Sequence, residues 1–186
     1  GLIVHINPLQ EWLQPEGDFI NHPPIVTLQK LLDWFTFPVV VKEVGQGMGP
    51  ESIAAVLKLP IAAFELAAHG GTNFSKLELL RSDAQAREVF EQLSGIGHSA
   101  IEMIEWINIL LEEEEDDIAC RQFIISGGVK DFLDGYYLRQ KLQAPSVYGQ
   151  ASAFLKYAAE SQEALDQYIE SQIKGLQLAH TLLKVK

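Results

Sequence analysis

The residues best equipped for chemistry come almost first: His5-Ile6-Asn7-Pro8-Leu9-Gln10-Glu11. Glu11 can hold a hard cation, the Gln10 amide can donate and accept, and His5 can carry a charge or a proton. Leu2, Ile3 and Val4, just before them, read as a buried strand. Pro8 lacks an N–H and fixes φ, so regular pairing ends there. Four polar side chains thus gather where a strand ends, the place where parallel α/β proteins bind ligands. Taken alone, the plainer reading is a polar turn with a cap.

Three glycine-rich loops follow further along: Gly45–Pro50, Ala68–Phe74 and Gly127–Lys130. Each comes after an apolar stretch and before a helical pattern, so all three are β→α turns on one face. Glycines there let backbone N–H groups approach an anion, and helix N-termini complete the site. A phosphate-bearing ligand is the expectation. Lys42 stands at the end of a buried β-branched run. Burying an unpaired ammonium is costly, which argues for a functional lysine.

The elements that must position these residues alternate. Strands are predicted over Phe37–Val44, Ile61–Ala67, Gln122–Ser126 and Ser146–Gln150, after the opening one. Helices are predicted over Val26–Trp34, Pro50–Lys58, Ala84–Leu93, His98–Glu113 and Phe132–Leu142, then from Phe154 and from Ser161. Asp131 is a candidate N-cap. Leu13–Pro24 reads as an irregular loop and Ser75–Ala84 as a polar stretch. Five β segments separated by helices describe right-handed βαβ units in a parallel sheet, in a single domain over residues 1–186.

The composition is that of an ordinary globular domain, with 47% hydrophobic and 21% charged residues. Fourteen Lys+Arg against 25 Asp+Glu give a net charge of −11. Such a chain repels nucleic acid and anionic lipid, so neither nucleic acid nor membrane is expected as a partner. An anionic substrate would need a local positive site or a metal ion. The acidic run Glu112–Asp117 reads as a solvated loop or fraying helix end. The single Cys120 rules out an internal disulfide framework and reads as structural. With no basic n-region before the first strand, a cytoplasmic location is expected.

Five collinear motifs resemble a known family, the type 2 isopentenyl-diphosphate isomerases, which are FMN-dependent (β/α)8 TIM barrels. His5–Glu11 followed by Pro15-Glu16-Gly17-Asp18 resembles that family's fourth strand and loop. Val40–Gly45 with Gly47-Met48 resembles its fifth strand. Gly70–Phe74 resembles the loop after the sixth. Ser126–Val129 with Leu133-Asp134 resembles the seventh, and Gly149–Ser152 before Phe154-Leu155-Lys156 the eighth. The chain would thus supply about strands 4–8 and their helices.

The resemblance implies roles. Gln10 would sit beside the isoprenoid carbons, in binding or proton handling. Glu11 would coordinate Mg²⁺ bridging to the diphosphate, with His5 and Asn7 lining the same pocket. Lys42 would face the flavin edge. Thr72, Gly127, Gly128, Val129, Ala151 and Ser152 would cradle the FMN phosphate. The implied reaction converts isopentenyl diphosphate to dimethylallyl diphosphate, with NADPH as reductant of the flavin. Two departures stand out: Ala67-Ala68 where the family has glycine or serine, and Glu65 where a shorter acid is common. A basic residue expected after Asp18 is Phe19 here.

A full barrel takes about 250 residues. A chain with five strands is therefore expected to be the C-terminal portion of a longer protein. Alone it would leave an apolar sheet face open and self-associate, so a homo-oligomer is expected. Two other readings stay open. One is a different FMN barrel enzyme such as a 2-hydroxy-acid oxidase, with His69 available but no arginine at a late strand end. The other is a non-catalytic phosphate-ligand-binding half-barrel. His69 could touch ligand, while Trp12 could line an isoprenoid pocket. Trp12, Trp34 and Trp106 otherwise read as packing residues.

Overall fold

A computed structural model describes residues 1–18 and 20–186. The expectation attached to Phe19 lies outside the described residues. Among them, five strands form one parallel sheet: β1 (Leu2–His5), β2 (Val39–Lys42), β3 (Ala63–Glu65), β4 (Phe123–Ile125) and β5 (Ser146–Tyr148). Their spatial order is β1-β2-β3-β4-β5. Strictly sequential order is consistent with an arc of a (β/α) barrel. A doubly wound sheet would reverse direction at a switch point.

The helices are α1 (Pro8–Leu13), α2 (Pro24–Trp34), α3 (Pro50–Leu57), α4 (Phe74–Arg81), α5 (Ala84–Phe90), α6 (Ala100–Glu113), α7 (Phe132–Lys141), α8 (Ser152–Glu160) and α9 (Gln162–Leu182). Their starts follow local chemistry. Proline opens α1, α2 and α3, where its missing N–H has no partner to lose. Ser99 and Glu102 form a capping box on α6. Asp131 caps α7 as expected, accepting from Leu133 and Asp134 N–H at 2.8 and 3.0 Å.

Alternation along the strands divides the sheet. Val39, Val41, Phe64, Phe123 and Ile125 point to the helices and pack with Leu28, Ile53, Leu57, Met103, Ile104 and Ile107 in the core. The opposite face carries Ile3, His5, Val40, Lys42, Glu65, Ile124 and Val147 in aligned register. That face stays open, with Ile3 and Val147 65% and 59% exposed.

Four expectations need correction. β1 is the sheet's edge rather than a buried strand, so Ile3 and His5 are exposed. The His5–Glu11 turn and the start of the predicted loop contain a helix, because Asn7 caps α1 and Pro8 occupies its first turn. The polar stretch at Ser75–Ala84 contains α4, capped by Asn73, whose Oδ1 accepts from Lys76 N–H at 2.9 Å. Its buried side chains include Ser75 and Glu78 alongside Leu79, so its inner face carries no apolar period to read. Trp34 is 74% exposed rather than packed. Cys120 is buried, with its thiol pushed up by burial, which agrees with a structural cysteine.

Candidate functional site

Parallel pairing brings every strand's carboxyl end to one rim, and the loops there carry the polar residues. Ala67 and Ala68 lead out of β3. Ala68 N–H donates to the Ser126 carbonyl at 2.9 Å, and Ala67 N–H donates to Ser126 Oγ at 3.1 Å. Ser126 Oγ in turn donates to Glu65 Oε1 at 2.8 Å. This seats the β3 and β4 loops against each other so closely that a Cβ on Gly127 would lie 2.1 Å from the Ala68 carbonyl oxygen. Gly127 and Gly128 take φ of 87° and 79°, a region glycine enters freely. Ala67 takes φ of 40° without that freedom, the one non-glycine with positive φ among the described residues.

The result is a cavity of about 480 Å³ lined by Lys42, Thr72, Gly127, Gly128, Val129, Ala151 and Ser152, with Glu65, Gly70, Gly71 and Lys130 among its neighbours. All seven residues expected on the flavin side thus share one cavity. Ser152 opens α8 at its edge, and Ala151 at the N-cap carries no hydrogen-bonding side chain. The first-turn N–H groups of α8 therefore lack a side-chain partner, whereas Asn73 and Asp131 cap α4 and α7. Lys42 is half-buried, and its Nζ donates to the Glu43 carbonyl at 2.6 Å.

His5, Asn7 and Glu11 line a second cavity of about 520 Å³, with Asp18 and His22. His5 Nε2 lies 3.0 Å from Glu11 Oε1. His5 and Lys42 are register partners on β1 and β2, so the two cavities adjoin across one pair of strands. Gln10 stands apart. It is buried in the α1–α4 contact, its Nε2 3.3 Å from Glu78 Oε1 and 3.2 Å from Gln14 Oε1. Asn7 is also buried, and its side chain is taken up by protein partners.

His69 turns away from the first cavity. Its backbone N–H donates to the His98 carbonyl at 2.8 Å, and its ring packs on Gly97. Trp12 points from α1 toward α5, edge-on to Phe90 at 4.9 Å, and lines a different cavity with Arg81 and Asp83. Successive residues on a short helix diverge by about 100°, which separates Trp12 from Glu11.

Sequence reasoning missed Glu43. Its carboxylate is 3% exposed and accepts from the N–H groups of Gly45, Gln46 and Gly47 at 2.6, 2.7 and 2.8 Å. Burial pushes its pKa up, opposed by those backbone donors. An acid two residues before a Gly-x-Gly turn was the available signal. Glu78 left none, since its partners Gln10 and Arg81 come from α1 and its own helix.

No family model matches the chain. Curated relatives do, and they carry the name isopentenyl-diphosphate delta-isomerase. The protein from Bacillus licheniformis is 35% identical over 183 residues, covering 98% of this chain and 49% of that protein. The one from Synechococcus sp. is 31% identical over 179 residues, covering 96% and 49%. The one from Deinococcus radiodurans is 29% identical, covering 96% and 50%. The chain spans about half the length of the curated relatives it matches.

Proposed function

We propose that this chain supplies about strands 4–8 of a (β/α)8 TIM barrel in an FMN-dependent, type 2 isopentenyl-diphosphate isomerase. The observation that carries the reading is the cavity shared by Lys42, Thr72, Gly127–Val129, Ala151 and Ser152. The relatives' shared name supports the substrate. Cytoplasmic location, homo-oligomeric state and NADPH as reductant belong to the same proposal.

The residues fit a flavin phosphate. Gly71, Gly127 and Gly128 line the cavity, the first turn of α8 has no side-chain cap, and Lys42 and Lys130 line it together with Glu65. When bound, reduced FMN supplies an acid/base group for moving a proton at an allylic carbon. Lys42, which lines the same cavity, would face the cofactor there and favour negative charge on it.

The fit to Mg²⁺ is of a different kind. Among the described residues no group of three or more His, Cys, Asp or Glu could hold a metal ion. Mg²⁺ commonly takes one or two carboxylates, with phosphate oxygens and water completing its shell. Glu11 suits that role, with His5 orienting it from 3.0 Å. The metal would then bind together with the diphosphate. Gln10 is proposed to face the substrate's carbon skeleton. From its present position this requires its amide to leave Glu78.

The test is an isomerase assay with FMN, Mg²⁺ and NADPH on the purified chain and on the longer protein that would complete the barrel. Glu11→Gln and Gln10→Ala are expected to abolish turnover while leaving the yellow flavin bands. Loss of the bands in both variants would assign these residues a structural role instead.

A further inference from the structure

Asn7, at the end of β1, and Glu43, at the end of β2, are 7% and 3% exposed and bonded to each other. Asn7 Nδ2 donates to Glu43 Oε1 at 2.5 Å and to Gln46 Oε1 at 3.0 Å. The other end of the same amide, Oδ1, accepts from Gln10 N–H at 2.9 Å and starts α1. Glu43 is itself fixed, because its second oxygen takes the three N–H groups of Gly45, Gln46 and Gly47. Gln46 is fixed in turn by Ser75 Oγ at 2.5 Å and by the Ile96 carbonyl at 2.7 Å.

Capping a helix needs only an acceptor, and serine or aspartate caps as well as asparagine. Reaching a buried carboxylate while capping needs a donor as well, and asparagine has both. We infer that Glu43 is a positioning residue for the Gln10–Glu11 segment, acting through Asn7. The first turn of α1 is thereby set by the β2 loop as well as by the strand that carries it. The link also ties the substrate half of the rim to the strand that carries Lys42. This inference rests on Gln10–Glu11 forming the substrate half of the proposed site.

The decisive variant is Asn7→Ser in the full chain. Serine keeps the cap but is too short to reach Glu43 while capping. Three quantities are measured: amide exchange of α1, affinity for isopentenyl diphosphate with Mg²⁺, and affinity for FMN. The inference expects α1 exchange to rise at least tenfold, diphosphate affinity to fall about tenfold, and FMN affinity to stay within twofold. Glu43→Gln, which loses an acceptor while keeping the shape, is expected to do the same. Should that variant not fold, Asn7→Ser decides alone, since its β2 loop is intact. Unchanged α1 exchange in Asn7→Ser overturns the inference, and so does unchanged diphosphate affinity where the parent chain binds it. A barrel-completing longer protein that binds no diphosphate sinks the functional reading, and the exchange result then decides the positioning role by itself.

Discussion

Lys42 and Glu65 are register partners on neighbouring strands and line one cavity, yet they are not bonded to each other. Lys42 Nζ donates to the carbonyl beside it, at 2.6 Å, and Glu65 accepts from Ser126 at 2.8 Å. Among the described residues Lys42 has no carboxylate partner, so its charge is directed at whatever fills the cavity. Lys42→Met should therefore weaken FMN binding by tenfold or more while the protein stays folded. Flavin fluorescence titration together with a melting curve checks this, and full-strength binding would remove Lys42 from the site.

Ala67 is strained where glycine would not be, at φ of 40°. Left-handed backbone costs a residue with a Cβ about 1–2 kcal/mol, and part of that is returned by glycine's looser unfolded state. Ala67→Gly should stabilise the chain by about 1 kcal/mol, raising the melting temperature by about 2–4 °C. Ala67→Val, branched at Cβ, should lower it.

Two glycines in the same cradle should behave differently. A Cβ at Gly127 meets the Ala68 carbonyl at 2.1 Å, with φ of 87°. Gly127→Ala should cost about 3 kcal/mol or more and remove FMN binding along with the fold. A Cβ at Gly71 lies 3.2 Å from Gly128 N, which a small shift relieves. Gly71→Ala should keep most of the stability and weaken FMN binding. Denaturant melts paired with flavin titrations separate the two effects.

Burial raises the pKa of Glu43, so the folded chain holds that proton more tightly than the unfolded chain. The contribution to stability is fully present below the ordinary carboxyl range and is lost as pH rises through the folded value. The melting-temperature difference between the parent chain and Glu43→Gln should thus be most favourable to the parent at low pH and shift against it as pH rises. A difference that is flat across that window would show that the Asn7 and backbone donors cancel the effect of burial.

Much of the frame was legible in the sequence because its signals are local. The β-branched run Val39–Val41 marks a buried strand, Pro50 a helix start and Asp131 a cap. Glycines at β→α turns marked the cradle, since parallel pairing alone sends every such turn to one rim. That Thr72, Gly127 and Ser152 line one cavity follows from strand order, which alternation with helices already implied. Which side chain meets which was not legible. Glu78 reaches Gln10 from 68 residues away, and Asn7 reaches Glu43 from 36. Gln10 turns inward and Trp12 sideways because a six-residue helix, Pro8–Leu13, replaces the expected turn and rotates each residue about its axis. Local sequence determined the elements and the rim. Only packing between distant segments decided where the side chains on that rim point, because a buried polar atom takes whichever partner the fold brings within reach.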